Sequence, residues 1–469
     1  MAMKFHPPTR SVCEVCEHLG EDHEPIISTH RGKASSADNF DIHNWYNFTL
    51  GYTPEFPDFI IDRAKLKPDA VVLDPFLGSG TTMVCAKAKG HPSIGVEAND
   101  FFAFAAGVKL NWNVDTKTGR LILEDLMKKV RKSASKYDWP EVESKKKPKG
   151  QERLPISMPG VKDFRPLAAK NRPEALVERY ISDAPFAKLI LIRDALRKVE
   201  WPNNALEKLF GLALSATILP VSNVRYGPGF GVTKPKIDAQ VIDIFEKRIT
   251  RMLDDLDAIK KSRVGKPTSK VNLGDSRQLS KYMDPNSVDI LITSPPYPGD
   301  HEYTKHSRLE LMFNELALSL EEFRVIKKRM LRGSTTNIYK GDDEGAAIRE
   351  IKEIADIVDK IDARLKEDGA TSGFEKLYTK LIWEYFGGMY AMFKEAMVVM
   401  KPGASFSLLV SDSHAFKMVH IQTADLLKLV AEKAGFVNCE IELWQLKNTT
   451  SHKYKLLENI LIVEKPKKR

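Results

Sequence analysis

The chain reads Val71-Val-Leu-Asp-Pro-Phe-Leu-Gly-Ser-Gly-Thr-Thr82 where an apolar strand gives way to a tight glycine turn and the start of a helix. Gly78 and Gly80 carry no Cβ, so the backbone can bend there and approach a ligand closely. Asp74 falls at the carboxyl end of the strand, the edge at which open α/β sheets bind their ligands. Thr81 is suited to cap the new helix and offers a hydroxyl group. The stretch therefore predicts a ligand site, with an ordinary strand-to-helix turn as the alternative.

A second strand, Ser93-Ile-Gly-Val-Glu97, ends in an acid about twenty residues after the glycines. An acid at the position of Glu97 can accept hydrogen bonds from both hydroxyls of a ribose. No Gly-Lys-Ser/Thr follows the glycines, which disfavours a Walker-type phosphate loop. Strands that alternate with helices imply crossover connections, so the pattern favours a largely parallel sheet.

Composition limits the classes of protein to which the chain can belong. Its 469 residues suffice for two to three structural units, or for one α/β domain with large insertions. A hydrophobic content of 42% can bury a substantial core, and the net charge of +9 fits a polyanionic partner. Four cysteines argue against a disulfide framework and for a reducing compartment. We find neither a signal peptide nor an apolar run that could span a bilayer, and expect a protein of the prokaryotic cytosol without a membrane partner.

The chain alternates between α/β segments and helical insertions. The clearest helix is predicted at about 237–260, where apolar residues recur at three- and four-residue spacing. Near the C-terminus we predict a helix at 383–400, a strand at 405–410, a helix at 423–434 and a final strand at 459–463 that can pair antiparallel as a hairpin. The predicted divisions are an N-terminal extension at 1–40, one α/β domain made of 41–112, 271–317 and 369–469, and helical insertions at 113–270 and 318–368.

A second motif lies far along the chain from the glycine turn. Gly274-Asp275-Ser276 follows a short strand, and an apolar strand at 288–293 leads into Ser294-Pro-Pro-Tyr297. Two consecutive prolines restrict the backbone, so hydrogen-bond acceptors in this loop are held in place. A rigid turn without chemistry is the alternative. The position of the loop, at the end of a strand and downstream of the full glycine motif, argues against that alternative.

Together the two motifs resemble those of the amino-group DNA methyltransferases, which use S-adenosylmethionine as methyl donor. The resemblance covers about 41–112, 271–313 and 383–464, less than half of the chain. It implies an α/β fold with a Rossmann-like methyltransferase sheet, mostly parallel with one antiparallel strand near the C-terminus, plus two helical insertions. The cofactor motif precedes the catalytic motif here, unlike the commonest order among members with serine in the tetrapeptide. The resemblance therefore leaves the subclass open.

The resemblance also assigns residues to the cofactor. Glu97 is expected to accept the ribose hydroxyls, and Asp275 to contact the adenine. The segments 42–48 and 52–57 are similar, more loosely, to the family segment that closes over the methionine end, with an aromatic patch packed on the first helix as the alternative. The predicted cofactor-binding residues are Tyr46, Thr53, Asp74, Phe76, Gly78, Gly80, Thr81, Glu97, Asp275 and Ser276.

The Ser-Pro-Pro-Tyr loop is assigned by the resemblance to the target base. An exocyclic amine conjugated to an aromatic ring is a poor nucleophile because its lone pair is delocalised. The hydroxyl of Ser294 and the carbonyl of Pro295 are expected to accept the protons of the amine, while Pro296 shapes the loop. Tyr297 is expected to stack on a base extruded from the duplex. Serine at the first position is typical of cytosine-directed members, so we predict methylation of the 4-amino group of cytosine.

Other functions stay open at this point. The same enzyme could act on the 6-amino group of adenine or on RNA bases. A catalytically silent DNA-binding adaptor could keep the fold, although the intact motifs argue against it. A dinucleotide oxidoreductase is a remote alternative, because Pro-Pro-Tyr has no role in hydride transfer.

Residues outside the sheet are candidates for contacts with double-stranded DNA and with a metal. The insertion at 113–270 is the first candidate for target recognition and that at 318–368 the second, with solvated loops as the alternative. Cys13, Cys16, His18 and His23 could supply the four ligands of a structural zinc ion. A cognate restriction endonuclease is a candidate partner. The predicted DNA-binding residues are Arg225, Tyr226, Lys234, Lys236 and Arg332.

Overall fold

The computed structural model describes residues 41–140, 161–226, 230–262, 267–299, 301–369, 373–448 and 455–467. The elements are, in chain order, α1 (Glu55–Ala64), β1 (Val72–Asp74), α2 (Thr81–Ala88), β2 (Ser93–Glu97), α3 (Asp100–Lys109), α4 (Thr116–Ala134), α5 (Arg165–Asn171), α6 (Asp183–Leu196), α7 (Asn204–Val221), β3 (Val224–Tyr226), β4 (Phe230–Val232), α8 (Val241–Lys261), β5 (Ser269–Leu273), β6 (Val288–Thr293), α9 (Arg308–Phe313), α10 (Leu320–Arg329), α11 (Lys352–Glu367), α12 (Tyr378–Val399), β7 (Met400–Ser411), α13 (Thr423–Ala434), β8 (Val437–Asn448) and β9 (Lys455–Glu464). Short 3-10 helices lie at Asp41–Trp45, Ser276–Lys281, Tyr303–Ser307, Thr335–Asn337, Glu344–Ile348 and Glu375–Leu377. No helix among these described residues is long and apolar enough to cross a membrane.

One seven-stranded sheet organises the molecule, in the order β5-β2-β1-β6-β7-β9-β8. Neighbouring strands are parallel except at β9, which runs antiparallel to both β7 and β8. Residues 449–454, which join β8 to β9, are too few for a crossover connection, so the two strands must pair as a hairpin. The predicted fold class, a mostly parallel methyltransferase-like sheet with one antiparallel strand near the C-terminus, is confirmed.

The order of the strands changes direction at the pair β1 and β6. From β1 the chain first builds outward through β2 to β5, and then returns to place β6 on the other side of β1. A crevice forms outside the carboxyl ends of the strands at such a switch point, and open α/β sheets bind ligands there. The glycine turn follows β1 and the Ser-Pro-Pro-Tyr loop follows β6, so both motifs border this crevice.

The first insertion, residues 113–270, contains α4 to α8 together with an antiparallel hairpin of β3 and β4. The predicted helix at 237–260 is confirmed as α8 (Val241–Lys261). Its buried residues Phe245 and Ile249 belong to the same hydrophobic cluster as Phe101 and Phe102 of α3. The sequence does not predict the hairpin, because its strands are only three residues long. The insertion thus shares a core with a helix that covers the sheet.

The second insertion, residues 318–368, packs against α12 through two adjacent glycines. A Cβ at Gly387 would lie 2.3 Å from the backbone of Glu344, and one at Gly388 would lie 2.5 Å from Cδ1 of Leu331. Only glycine permits so close an approach between two backbones. These two residues therefore determine how the insertion is seated on the sheet domain.

The C-terminal elements follow the sequence prediction with shifted boundaries. The predicted strand at 288–293 and helix at 423–434 coincide with β6 and α13. The helix predicted at 383–400 begins earlier, at Tyr378, and β7 extends back to Met400. Buried Leu381 and Ile382 continue the apolar face of α12 beyond its predicted start.

We expect Gly387→Ala to lower the free energy of unfolding by about 1–3 kcal/mol, because the new methyl group has no space between α12 and Glu344. Gly107→Ala is the matched control. Gly107 is exposed in α3 and an added Cβ would meet nothing within 4 Å, so alanine should stabilise by about 0.5–1 kcal/mol. Urea denaturation of both variants measures the difference. Equal stability of the two variants would contradict this account of the packing.

Candidate active site

A cavity of about 690 Å³ opens at the carboxyl ends of β1, β2, β6 and β7. This volume lies within the range of about 300–1,000 Å³ that is usual for small-molecule sites. The glycine turn and the Ser-Pro-Pro-Tyr loop, which are distant in the chain, both contribute to its wall. Of the predicted site residues, Phe76, Gly78, Thr81, Glu97, Ser276 and all four of Ser294, Pro295, Pro296 and Tyr297 line the cavity, whereas Tyr46, Thr53, Asp74, Gly80 and Asp275 do not.

Asp74, which does not line the cavity, connects by hydrogen bonds the strand before the glycine turn and the strand before the Ser-Pro-Pro-Tyr loop. Its fully buried carboxylate accepts hydrogen bonds from the hydroxyl of Thr293 at 2.6 Å and from the hydroxyl of Tyr52 at 2.9 Å. It also accepts the backbone N–H of Phe76 at 3.1 Å. Burial raises the pKa of Asp74 to about 6, although these hydrogen bonds oppose the shift. Asp74 therefore connects the end of β1 to the end of β6.

Glu97 shapes the glycine turn on the other side of the cavity. Its carboxylate accepts the backbone N–H of Gly78 at 2.6 Å and that of Asn99 at 2.8 Å. Gly78 adopts a φ of +52°, a left-handed conformation that side chains rarely tolerate. Burial raises the pKa of Glu97 to about 7. The acid is thus buried, lines the cavity and is close to half-protonated at neutral pH.

The predicted segments 42–48 and 52–57 contribute to one side of the cavity, but not through the individually predicted Tyr46 and Thr53. Phe48 and Tyr52 line the wall, whereas Tyr46 points into the core and donates its hydroxyl to Glu310 at 3.2 Å. Lys109 of α3 holds this segment by donating to the backbone carbonyls of His43 and Tyr46, at 3.1 and 2.9 Å. The loose similarity of these two segments to the family segment does not predict which of their aromatic side chains face the cavity.

The Ser-Pro-Pro-Tyr loop carries a chain of hydrogen-bonded hydroxyls. The hydroxyls of Ser294 and Tyr297 lie 3.1 Å apart, and Tyr297 donates to Oε1 of Glu458 at 3.2 Å. Burial, followed by the nearby charge of Glu458, raises the pKa of Tyr297 well above its usual value. Tyr297 therefore stays protonated and serves as a donor to the carboxylate.

Glu458 is a cavity residue that no sequence motif indicates. It lies on β9 with 1% of its surface exposed, and it accepts hydrogen bonds from Gln445 and Lys447 of β8 as well as from Tyr297. Only the β8–β9 hairpin brings these side chains to the Ser-Pro-Pro-Tyr loop. A usable signal is present nonetheless, since Glu458 and Asn459 interrupt an otherwise apolar run from Leu456 to Val463.

A histidine pair borders the cavity beyond the end of β7. The rings of His414 and His420 stack with centroids 4.4 Å apart, and Nε2 of His420 lies 2.8 Å from Oδ2 of Asp412. Asp412, Ser413 and His414 line the cavity. Neither histidine is indicated by the sequence motifs.

Asp275 is paired with a cation instead of facing the cavity. Its two oxygens accept from Nε and Nη2 of Arg277 at 2.9 and 2.6 Å. The adjacent Gly274 and Ser276 do line the cavity. Arg277 therefore orients this carboxylate, and the predicted contact between Asp275 and an adenine ring stays a prediction.

The predicted DNA-binding residues differ in how far their side chains are exposed to solvent. Arg225 and Lys234 are exposed. Tyr226 is buried and donates its hydroxyl to Glu310 at 3.0 Å, and Lys236 donates to the carbonyl of Pro220 at 2.7 Å. Arg332 is 7% exposed and pairs with Asp342. Arg225 and Lys234 are thus the two exposed cations of the set, whereas Lys236 is half-buried.

The predicted zinc ligands Cys13, Cys16, His18 and His23 lie outside the described residues. Within the part of the chain that the structure describes, no cluster of three or more histidine, cysteine or acidic side chains could hold a metal ion. The zinc prediction stays a prediction.

Comparison with known proteins gives one family match and several relatives. The DNA methylase family model matches residues 17–106. The Type II methyltransferase M.BsoBI of Geobacillus stearothermophilus is 23% identical over 459 residues, which cover 91% of this chain and 86% of that protein. The Type II methyltransferase M.MvaI of Kocuria varians is 23% identical over 414 residues, 83% of this chain and 81% of that protein. A shorter stretch of 57 residues is 44% identical to the Type II methyltransferase M.ScaI of Streptomyces caespitosus, over 11% of this chain and 19% of that protein.

These matches confirm the resemblance to the amino-group DNA methyltransferases of the N4/N6 family, whose cofactor is S-adenosylmethionine. The alignments with M.BsoBI and M.MvaI span most of the chain and so extend over both insertions.

We expect the affinity for S-adenosylhomocysteine to fall about tenfold between pH 8 and pH 6, because Glu97, with a pKa of about 7, takes up a proton and then accepts hydroxyl donors less well. Calorimetric titration across this range measures the effect. Glu97→Gln should bind more weakly at pH 8 and show a flat profile. A wild-type affinity independent of pH would contradict the assignment of Glu97 as the ribose acceptor.

Proposed function

We propose that this amino-group DNA methyltransferase transfers a methyl group from S-adenosylmethionine to the 4-amino group of a cytosine flipped out of double-stranded DNA. The observation that carries the proposal is the single cavity into which both Glu97 and the Ser294–Tyr297 loop open. Methyl transfer requires donor and acceptor to meet in one enclosed space, and two separate pockets would not permit it.

The residues around the glycine turn fit the cofactor. Glu97 supplies a buried acceptor for ribose hydroxyls, and Phe48 and Phe76 supply apolar walls. A Cβ at Gly78 would make only ordinary contact with the ring of Phe48, at 3.5 Å, so the φ of +52° and not the available space favours glycine here. When bound, S-adenosylmethionine supplies an electrophilic methyl group on a sulfonium centre. The chain's own residues have to bind that group and present the target amine to it.

The chain of hydrogen-bonded hydroxyls in the catalytic loop determines whether Ser294 donates or accepts a hydrogen bond toward the target base. The Glu458 carboxylate, which is paired with Lys447, can only accept, so Tyr297 donates to it. Ser294 then donates its own proton to the oxygen of Tyr297 and keeps its lone pairs available. In this arrangement Ser294 and the carbonyl of Pro295 accept the two N–H groups of the target amine. Both acceptors are held in place before the base arrives, which is the condition for electrostatic preorganisation.

Serine at position 294, which is typical of the cytosine-directed members of the family that the chain resembles, favours cytosine as the target base. The carboxylate of an aspartate would add a charge beside the amine, whereas Ser294 adds a neutral acceptor whose orientation is set by Tyr297 and Glu458. Methylation of the 6-amino group of adenine is the alternative. A catalytically silent adaptor is disfavoured, since such a protein would have no use for a buried acceptor chain beside a cofactor-sized cavity.

Double-stranded DNA is the proposed substrate, and Arg225 and Lys234 on and beside the β3–β4 hairpin are the proposed phosphate contacts. Both are exposed, and the hairpin is anchored from within by the hydrogen bond of Tyr226 to Glu310. A cognate restriction endonuclease and a structural zinc ion at the N-terminus stay predictions.

We expect 4-methylcytosine as the modified nucleoside in duplex DNA that has been incubated with the protein and labelled S-adenosylmethionine. Digestion to nucleosides and mass spectrometry identifies the product. Tyr297→Ala should reduce kcat/KM about 5- to 150-fold, since base–aromatic stacking contributes about 1–3 kcal/mol.

Tyr297→Phe is the matched control for that experiment. It keeps the ring for stacking and removes the hydroxyl that joins Ser294 to Glu458, so it should retain more activity than Tyr297→Ala. Detection of 6-methyladenine alone would refute the cytosine assignment and leave the family assignment intact. No transfer by a wild-type protein that binds the cofactor would favour the silent adaptor.

We expect Arg225→Ala and Lys234→Ala each to weaken DNA binding at 50 mM salt and to reduce the slope of log affinity against log salt by about 1, because each removes one phosphate contact. Fluorescence anisotropy with a labelled duplex over a salt series measures the slope. Lys247→Ala on α8 is a control that changes the charge by the same amount elsewhere. Identical slopes for all variants would place the DNA on a different surface.

A further inference from the structure

The second insertion contributes a short segment to the wall of the cavity. We call residues 329–333 the strap. Arg329, Met330 and Leu331 line the cavity, and a Cβ at Gly333 would lie 3.4 Å from the carbonyl oxygen of Tyr297. The strap therefore runs from the cofactor side of the cavity to the catalytic loop.

One end of the strap is attached beside the ribose acceptor. Nε of Arg329 donates to the carbonyl of Ala98 at 3.0 Å, and its Nη2 forms an ion pair with Asp100. Ala98 directly follows Glu97. The guanidinium of Arg329 thus holds the strap against the same loop that carries the buried acid.

The same end is attached to the loop that carries Asp275. Arg277 binds both oxygens of Asp275, and it also donates to Oε1 of Glu344 at 2.7 Å and to the carbonyl of Lys328 at 3.0 Å. Glu344 and Lys328 belong to the second insertion. Arg277 therefore joins the insertion to the sheet domain beside Asp275, the acid that the motif assigns to the adenine.

The far end of the strap is held by Arg332. Its guanidinium pairs with Asp342 at 2.8 Å and donates to the carbonyl of Met330 at 2.7 Å. Leu331 is 4% exposed and packs against Gly388 of α12. A segment fixed at both ends in this way has a defined wall surface, which a solvated loop would not have.

We propose that the strap is the wall that receives the adenosine part of the cofactor, with Met330 and Leu331 as apolar contacts to the adenine ring. Lys328 and Arg329, which directly precede Met330, contact the loop of Asp275 and the loop of Glu97, and Met330 itself lines the cavity. A thioether and an aliphatic side chain suit the face of a purine ring. These apolar contacts would lie against the face of the adenine ring. This inference rests on the proposed function, because it assumes that the cavity takes S-adenosylmethionine.

Calorimetric titration with S-adenosylhomocysteine and with adenosine tests the strap. Met330→Ala should weaken the binding of both ligands by a similar factor of about ten, because the lost contact lies on the part that the ligands share. Met330→Leu should stay within about threefold of wild type. Val325→Ala on α10, a residue that is 53% exposed, is the matched control and should bind like wild type. Thermal unfolding of each variant checks that the fold is kept.

The outcomes separate the strap from the function on which it rests. If the wild-type protein binds S-adenosylhomocysteine and Met330→Ala binds it equally well, the strap proposal fails while the proposed function stands. If Met330→Ala loses affinity for S-adenosylhomocysteine but not for adenosine, the contact lies at the amino-acid end and the proposal is overturned. If the wild-type protein binds neither ligand, the proposed function itself fails.

Discussion

The parallel pairing of β1 with β6 is the constraint on which the site depends. It sets the carboxyl ends of two strands side by side although they lie more than 200 residues apart, and the hydrogen bond from Thr293 to Asp74 at 2.6 Å secures them there. Every later feature of the cavity assumes this contact, since the glycine turn leaves one strand and the Ser-Pro-Pro-Tyr loop leaves the other. Displacing β6 by one position would turn its side chains to the opposite faces of the sheet and separate donor from acceptor.

Buried carboxylates connect, through hydrogen bonds, segments that are distant in the chain. Asp74 joins the two central strands, Glu97 joins the glycine turn to α3, Glu310 joins the N-terminal segment to the β3–β4 hairpin, and Glu458 joins the β8–β9 hairpin to the catalytic loop. Burial of each acid is unfavourable unless its oxygens are hydrogen-bonded, so each one requires its partners to stay in position. The site is consequently held rigid by the same groups that define its electrostatics.

Both insertions are packed into the sheet domain. The first shares its hydrophobic cluster with α3, the helix that follows the acid of β2. The second forms one wall of the cavity itself through residues 329–331, although its basic residues first suggest a DNA-binding surface. Arg332 illustrates the difference, because it is enclosed by Asp342 and backbone carbonyls and cannot reach a phosphate.

The amino-acid sequence determined the local features: the strand, glycine turn and acid around Gly78 and Glu97, the rigid Ser294–Tyr297 loop, and a parallel sheet with a C-terminal hairpin. Each of these depends on residues that are neighbours in the chain or on a single periodicity. Tertiary structure alone decided that Asp275 pairs with Arg277, that Glu458 reaches Tyr297, and that the second insertion closes the cavity. The physical reason is that these contacts join side chains whose distance in space is set by sheet order and backbone packing, and neither quantity is written in any local pattern of residues.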